Sequence, residues 1–243
     1  MKLSLKIYLV LLLVFFSIVY FLAPFKFVAS SNIFLTISTF LFAIFAGFFI
    51  SRQGQRYSSI RDRITEFDGE ITAVYRNFGH ISAAMQAKAK EIIENHYKLI
   101  LKKKSWDYHF THKSSTILFL HKLIDECGNT KILPSLTSIA MQRIMESLQN
   151  LQLIRKNMIS LHNERIPLFQ YILIYFLGIL LLATVSIIPS QANLLESILK
   201  GAFSTCAVFV LVLLHQFDKL RFFEGLIGEG SAQDVLDIFS GKK

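Results

Sequence analysis

Apolar and polar positions are segregated along this chain into long blocks. Four runs, at 7–23, 33–50, 167–188 and 201–217, contain no Asp, Glu, Lys or Arg. Each is 17 to 22 residues long. At about 1.5 Å of rise per residue, such a helix crosses a hydrocarbon layer roughly 30 Å thick. The pattern predicts an all-α membrane protein with four transmembrane helices in a 2+2 arrangement. Residues 1–50 form one hairpin, 167–217 a second, and 218–243 a tail. Lys2 and Lys6 ahead of the first run also describe a secretory leader, with Val28-Ala29-Ser30 as its cleavage site. The run is longer than the about 7–15 apolar residues of a leader's core. It also ends at Pro24, short of that site, so a retained helix is expected.

Between the hairpins, residues 51–166 carry helical spacing and no strand alternation. Met141, Ile144, Leu148, Leu151, Ile154, Met158 and Leu161 recur with gaps of 3, 4, 3, 3, 4 and 3, a stripe on one helix face. Pro134-Ser135 is a plausible start for this helix. It is expected to run to Glu164-Arg165 and nearly straight into the third apolar run, with Pro167 as a kink. Stretches 81–104 and 114–129 read as two further helices, the latter stopped at Gly128-Asn129. Residues 51–79 read as a continuation of the second transmembrane helix. The stripe is expected to form the core of a bundle.

Composition agrees with the pattern. The chain is 53% apolar with 23 phenylalanines, above the about 45–50% of soluble domains. Charge sets the orientation. Residues 51–165 hold 18 Lys+Arg against 11 Asp+Glu, +7 of the chain's net +9. Positive residues near a crossing favour the cytoplasm. Arg52, Arg56, Arg61, Arg63, Lys156 and Arg165 flank the second and third runs, and Lys219 and Arg221 follow the fourth. The middle segment and both termini are therefore expected to be cytoplasmic, and most of these arginines to lie on a solvated face at the lipid headgroups. Topology accounts for the positive charge without a nucleic-acid partner.

Little chemistry is legible. His109 and His112 could share a helix face, but no carboxylate at ligand spacing completes a metal set. His215 lies near the cytoplasmic end of the fourth run, where a polar residue is a functional candidate. The glycines of 224–237 follow no strand and precede no Lys-Ser/Thr pair, so they match no nucleotide loop. Glu224, Glu229, Asp234 and Asp237 lack the dense spacing of a calcium loop. Cys127 and Cys206 are expected to be reduced and buried. No cofactor and no enzymatic activity are expected.

The second run stands apart. Thr39, Ala43 and Gly47 lie four apart on one face, which permits close helix packing. Phe40, Ile44 and Phe48 form an apolar ridge beside them. In a single copy that ridge turns to lipid or to another helix. In a ring of copies, such ridges could meet as a constriction that gates by dewetting.

Three patches carry a resemblance. The first is Ala46-Gly47-Phe48 with Arg56-Tyr57 eight residues after Phe48, followed by 61-RDRITEFDGEI-71. The second is 94-ENHYKLILKKKSWDYH-109, and the third 161-LHNERIPLFQYILIYFLG-178. Together they resemble the bacterial and plant family of bestrophin-like membrane proteins, over nearly the whole chain. The resemblance implies a homo-oligomer, a pentamer, in the bacterial plasma (inner) membrane, with the second crossing around the axis and inorganic ions as its cargo. It also implies a pore neck at Phe40, Ile44 and Phe48 and a cytoplasmic flank at Arg52, Arg56 and Tyr57. Tyr57 stands where bestrophins carry Trp, and their dense acidic calcium-binding cluster has no counterpart here. An ion channel, anion-conducting by its basic vestibule, is one reading. The alternative is a non-conducting membrane scaffold or sensor whose cytoplasmic bundle recruits a partner. Both halves are two-helix hairpins without matched interruptions, which gives a transporter reading no support.

Overall fold

A computed structural model describes residues 2–22, 31–112, 115–128, 135–188, 194–221 and 228–242. Among these residues every regular element is helical: α1 (Lys2–Leu22), α2 (Ser31–Ile81), α3 (Ala83–Lys103), α4 (Tyr108–Thr111), α5 (Thr116–Gly128), α6 (Ser135–Asn163), α7 (Leu168–Ile187), α8 (Leu194–Asp218) and α9 (Gly228–Phe239). They divide into two compact units, residues 1–55 with 165–219 and residues 56–164 with 220–243. Pro24, Val28-Ala29-Ser30, Asn129, Pro134 and Glu224, all used above, lie outside the described residues.

In the first unit, α2, α7 and α8 are long and apolar enough to cross a membrane, while the apolar stretch Val10–Leu22 of α1 is shorter. α1 lies along α8, and α7 packs on α8. Small residues let the backbones approach. A Cβ on Gly201 would sit 2.5 Å from Ser17 Oγ and 2.9 Å from Ser17 N, so only glycine fits at that crossing. Phe42, Ala46 and Phe49 of α2 pack with Ile174, Leu177 and Leu181 of α7 and with Ala207 and Leu214 of α8. Hydroxyls caught between helices pair with one another, as a dry interior requires. Tyr20 OH and Ser204 Oγ are 2.8 Å apart, and Ser38 Oγ and Thr184 Oγ1 are 3.0 Å apart.

The expected run from α6 into the third apolar block does not form. α6 ends at Asn163, residues 164–167 are not helical, and Pro167 precedes α7 with φ −57° and ψ 145°. The residue before a proline is pushed out of the helical region, and that residue is Ile166. Its N–H donates to Asp218 Oδ1 at 2.8 Å instead of closing a turn. Proline itself loses nothing at a helix start, where its missing N–H would have had no intrahelical acceptor.

The second unit is a bundle built on one stripe per helix. Ile60, Ile64, Phe67, Ile71, Val74 and Phe78 of α2 are buried with gaps of 4, 3, 4, 3 and 4. Against them pack Ala89, Ile93, Tyr97 and Ile100 of α3, Leu120, Leu123 and Ile124 of α5, and Ala232, Val235 and Phe239 of α9. The α6 stripe joins this core. Ile144, Leu148, Leu151, Ile154 and Met158 are fully inside, and Met141 and Leu161 are half-buried at its ends. Ser82 caps α3 by accepting the Met85 N–H at 3.1 Å. Lys104 ends it in the left-handed region at φ 50°. Neither α4 nor α9 is anticipated by the sequence pattern.

Candidate functional site on α2

The helical period decides which side of α2 is covered. Between residues 38 and 49, Ser38, Phe42, Ala46 and Phe49 face inward and are buried. The ridge predicted for the pore lies on another face. Phe40, Ile44 and Phe48 are 64%, 50% and 59% exposed. Ala43 and Gly47 are exposed as well, and Thr39 is half-buried. A Cβ added to Gly47 would meet nothing within 4 Å. The small-residue face is therefore not a packing face within one chain. That role falls to Gly201, and to Gly178, where a Cβ would come 2.9 Å from Leu211 Cδ1. No titratable group lies on the ridge. An apolar surface of this kind acts by burial, or by excluding water, rather than by chemistry.

The flank residues separate into different roles. Arg52 and Tyr57 are half-buried, and Tyr57 packs on the core of the second unit. Arg56 is only 4% exposed. Its Nε donates to the Leu161 carbonyl at 2.7 Å and its Nη2 to the His162 carbonyl at 2.8 Å. The guanidinium thus satisfies carbonyls in the last turn of α6, at the negative end of that helix's dipole. The headgroup reading of the arginines does not extend to this one, because its charge is spent inside the protein.

Around the same helix end, Ser105 Oγ donates to Asp107 Oδ1 at 2.5 Å. Asp107 Oδ2 lies 3.1 Å from His162 Nε2. The hydrogen bond to His162 holds the Asp107 carboxyl below its ordinary range, and the same bond holds the His162 imidazole above its own. Trp106 is buried beside them, its ring centre 6.4 Å from that of His162. On α2, Asp68 accepts Tyr97 OH at 2.5 Å and also the Ser231 hydroxyl of α9. Burial pushes the Asp68 carboxyl up. Tyr97 and Trp106, both within the second resemblance patch, are thus core residues of the second unit.

The histidines fall differently from the sequence reading. His109 stacks on His96, with ring centres 3.6 Å apart and planes 12° from parallel, and not on His112. His112 stacks instead on Tyr108. The lone pairs of stacked rings lie in parallel planes and cannot converge on one ion. Among the described residues, no group of three or more His, Cys, Asp or Glu side chains is placed to hold a metal. His215 is half-buried, its ring centre 6.4 Å from that of Tyr171. Cys127 is buried as expected, whereas Cys206 is exposed; both are free thiols. Sequence reasoning missed Arg56 as a helix clamp, His96 as the partner of His109, and Asp68 as an anchor for α9. None of the three carries a local signal, because each partner lies on a different helix.

No curated protein and no solved structure matches this chain. The family model for a bestrophin-like domain does match, over residues 6–226. That span takes in the three long apolar helices, the exposed ridge of α2 and the buried Arg56, in a membrane protein that belongs to the bestrophin-like family.

Proposed function

We propose that copies of this chain assemble into an ion channel in which α2 lines the pore and Phe40, Ile44 and Phe48 form an apolar neck. By analogy with the family the assembly is a closed homopentamer. α1, residues 33–50 of α2, α7 and α8 make the four crossings. Residues 51–166 and both termini lie on the cytoplasmic side of a bacterial inner membrane. The reading is supported by the family match, by the +7 balance of 51–165, and above all by one observation. The ridge of α2 is half or more exposed in the single chain while the opposite face is packed. A row of three bulky apolar side chains left uncovered is available either to lipid or to its own copies around an axis. Only the second arrangement makes a dewetting gate. The positive cytoplasmic segment favours anions by depleting cations at the pore entrance.

Planar-bilayer recording of the purified oligomer tests this. Currents are expected from wild type, with larger unitary conductance when Phe48→Ala widens the neck. Absence of flux from both proteins, with the oligomer intact, would overturn conduction.

A scaffold reading is favoured by a different surface. Leu118 and Phe119 of α5 and Leu136, Ile139 and Leu153 of α6 are large apolar side chains exposed on the second unit. If they recruit a cytoplasmic partner, a stoichiometric binder should co-purify with wild type and be lost on Phe119→Asp.

A further inference from the structure

Neither the family nor the channel reading uses the stacked histidines. We propose that the His96–His109 stack is an acid-released clasp that holds α4 against α3 and closes the groove between α3, α4 and α5. The hydrogen bonds define its neutral form. His109 Nε2 lies 3.0 Å from the His96 carbonyl, which can only accept, so Nε2 carries the proton and Nδ1 the lone pair. His96 Nδ1 lies 2.9 Å from the Thr116 hydroxyl of α5. One ring therefore ties α4 to α3, and the other ties α3 to α5. The pair walls a groove of about 580 Å³ that Lys88, Glu91, Tyr108 and Lys122 also line.

Charge cannot be added to this stack without loss. His96 is buried against Phe67 of α2 and Tyr97 of its own helix. Beyond Tyr97 sits Asp68, both of whose oxygens are already held by hydroxyls. From α6, Arg155 donates to the His109 carbonyl at 3.4 Å, and its guanidinium opposes a second cation there. Just past α4, His112 opposes it too. The acidic side chains that line the groove are Glu91 of α3 and Glu126 of α5, the latter already paired with Lys88 at 3.0 Å. Two imidazoliums face to face at 3.6 Å repel strongly. Burial accordingly holds both rings below the ordinary histidine value. α4 is a single turn, Tyr108–Thr111, too short to stand without these contacts. As pH falls below about 6.5, the ordinary histidine value, proton uptake drives α4 off α3 and opens the groove. The clasp would work whether or not the assembly conducts.

Hydrogen exchange of the full-length protein, corrected for intrinsic rates, tests it between pH 7.5 and 5. Peptides spanning 93–116 are expected to open more as pH falls. The opening constant should rise by up to a hundredfold per pH unit where both rings take up a proton. Peptides covering 144–158 in α6 should not change. His109→Gln keeps an N–H for the His96 carbonyl and cannot become charged, so it should limit the slope to at most tenfold per unit. Equal slopes in wild type and His109→Gln, or equal opening across α6, would overturn the clasp. Should the variant fail to fold, imidazole NMR of histidine-labelled wild type decides. Two resonances titrating together below the ordinary value support it, and ordinary independent titrations overturn it.

Discussion

Arg56→Met is the most informative single change in the second unit. Arginine and methionine are both long and unbranched, so the substitution keeps much of the volume and removes the guanidinium. Two charge-assisted bonds disappear, to the Leu161 carbonyl at 2.7 Å and to the His162 carbonyl at 2.8 Å. Hydrogen bonds to charged groups contribute about 1.5–3 kcal/mol each. Because both bonds come from one group and are not independent, a total near 3 kcal/mol is expected. For a protein of this size, about 2–4 °C per kcal/mol places the loss at roughly 6–12 °C. The assay is built into the sequence. Trp106 is the only tryptophan, and it is buried 6.4 Å from the His162 ring. Its emission during heating therefore reports on the end of α6 that Arg56 closes. Arg56→Lys should recover only part of the loss, since one ammonium does not reproduce the fork that reaches both carbonyls. A shift of the Trp106 transition by less than about 1 °C in Arg56→Met, or its full restoration by lysine, would refute the role of the guanidinium as a clamp.

Other consequences are equally direct. Gly201→Leu places a side chain against the Ser17 backbone, where even a Cβ comes within 2.9 Å, and should unseat α1. Loss of at least a few degrees in detergent thermostability is expected, on the order of 1–3 kcal/mol of overpacking. Gly47→Leu meets nothing within 4 Å of its Cβ in one chain and should leave monomer stability unchanged. If copies meet along this face of α2, it should weaken the oligomer on size-exclusion chromatography. Asp107 is held below and His162 above their ordinary values. The depressed carboxyl stabilises above its unfolded value near 3.9 and loses that contribution in acid. The raised imidazole stabilises below its unfolded value near 6.5 and loses it as pH rises through the folded value. Asp107→Asn should therefore cost most between about pH 4 and 6.5 and little at pH 8, read from urea midpoints. Leu151→Ala, at a fully buried site, should cost about 2–5 kcal/mol.

Much of this architecture follows from local pattern. An uncharged run such as 33–50 has one low-energy environment, because a helix there satisfies its own backbone and exposes mostly apolar side chains. The 3–4 spacing from Ile144 to Met158 likewise names a buried face before any partner is known. The proline at 167 marks a boundary, though pattern alone does not distinguish a kink from a break. The tertiary structure settles the break through the Ile166 N–H and its acceptor Asp218, which are 52 positions apart. The same holds for the site. Periodicity puts Phe40, Ile44 and Phe48 on one side of α2, but only packing of the opposite side against α7 and α8 leaves them uncovered. Arg56 reads as one of several flanking cations until α6, 105 positions later, brings its last carbonyls to it. His96 and His109 belong to different helices, and no spacing rule announces a stack across a turn. Helix identity and face are written in neighbours along the chain. Which charges are buried, and against what, depends on residues far apart in sequence, and so only the folded chain decides it.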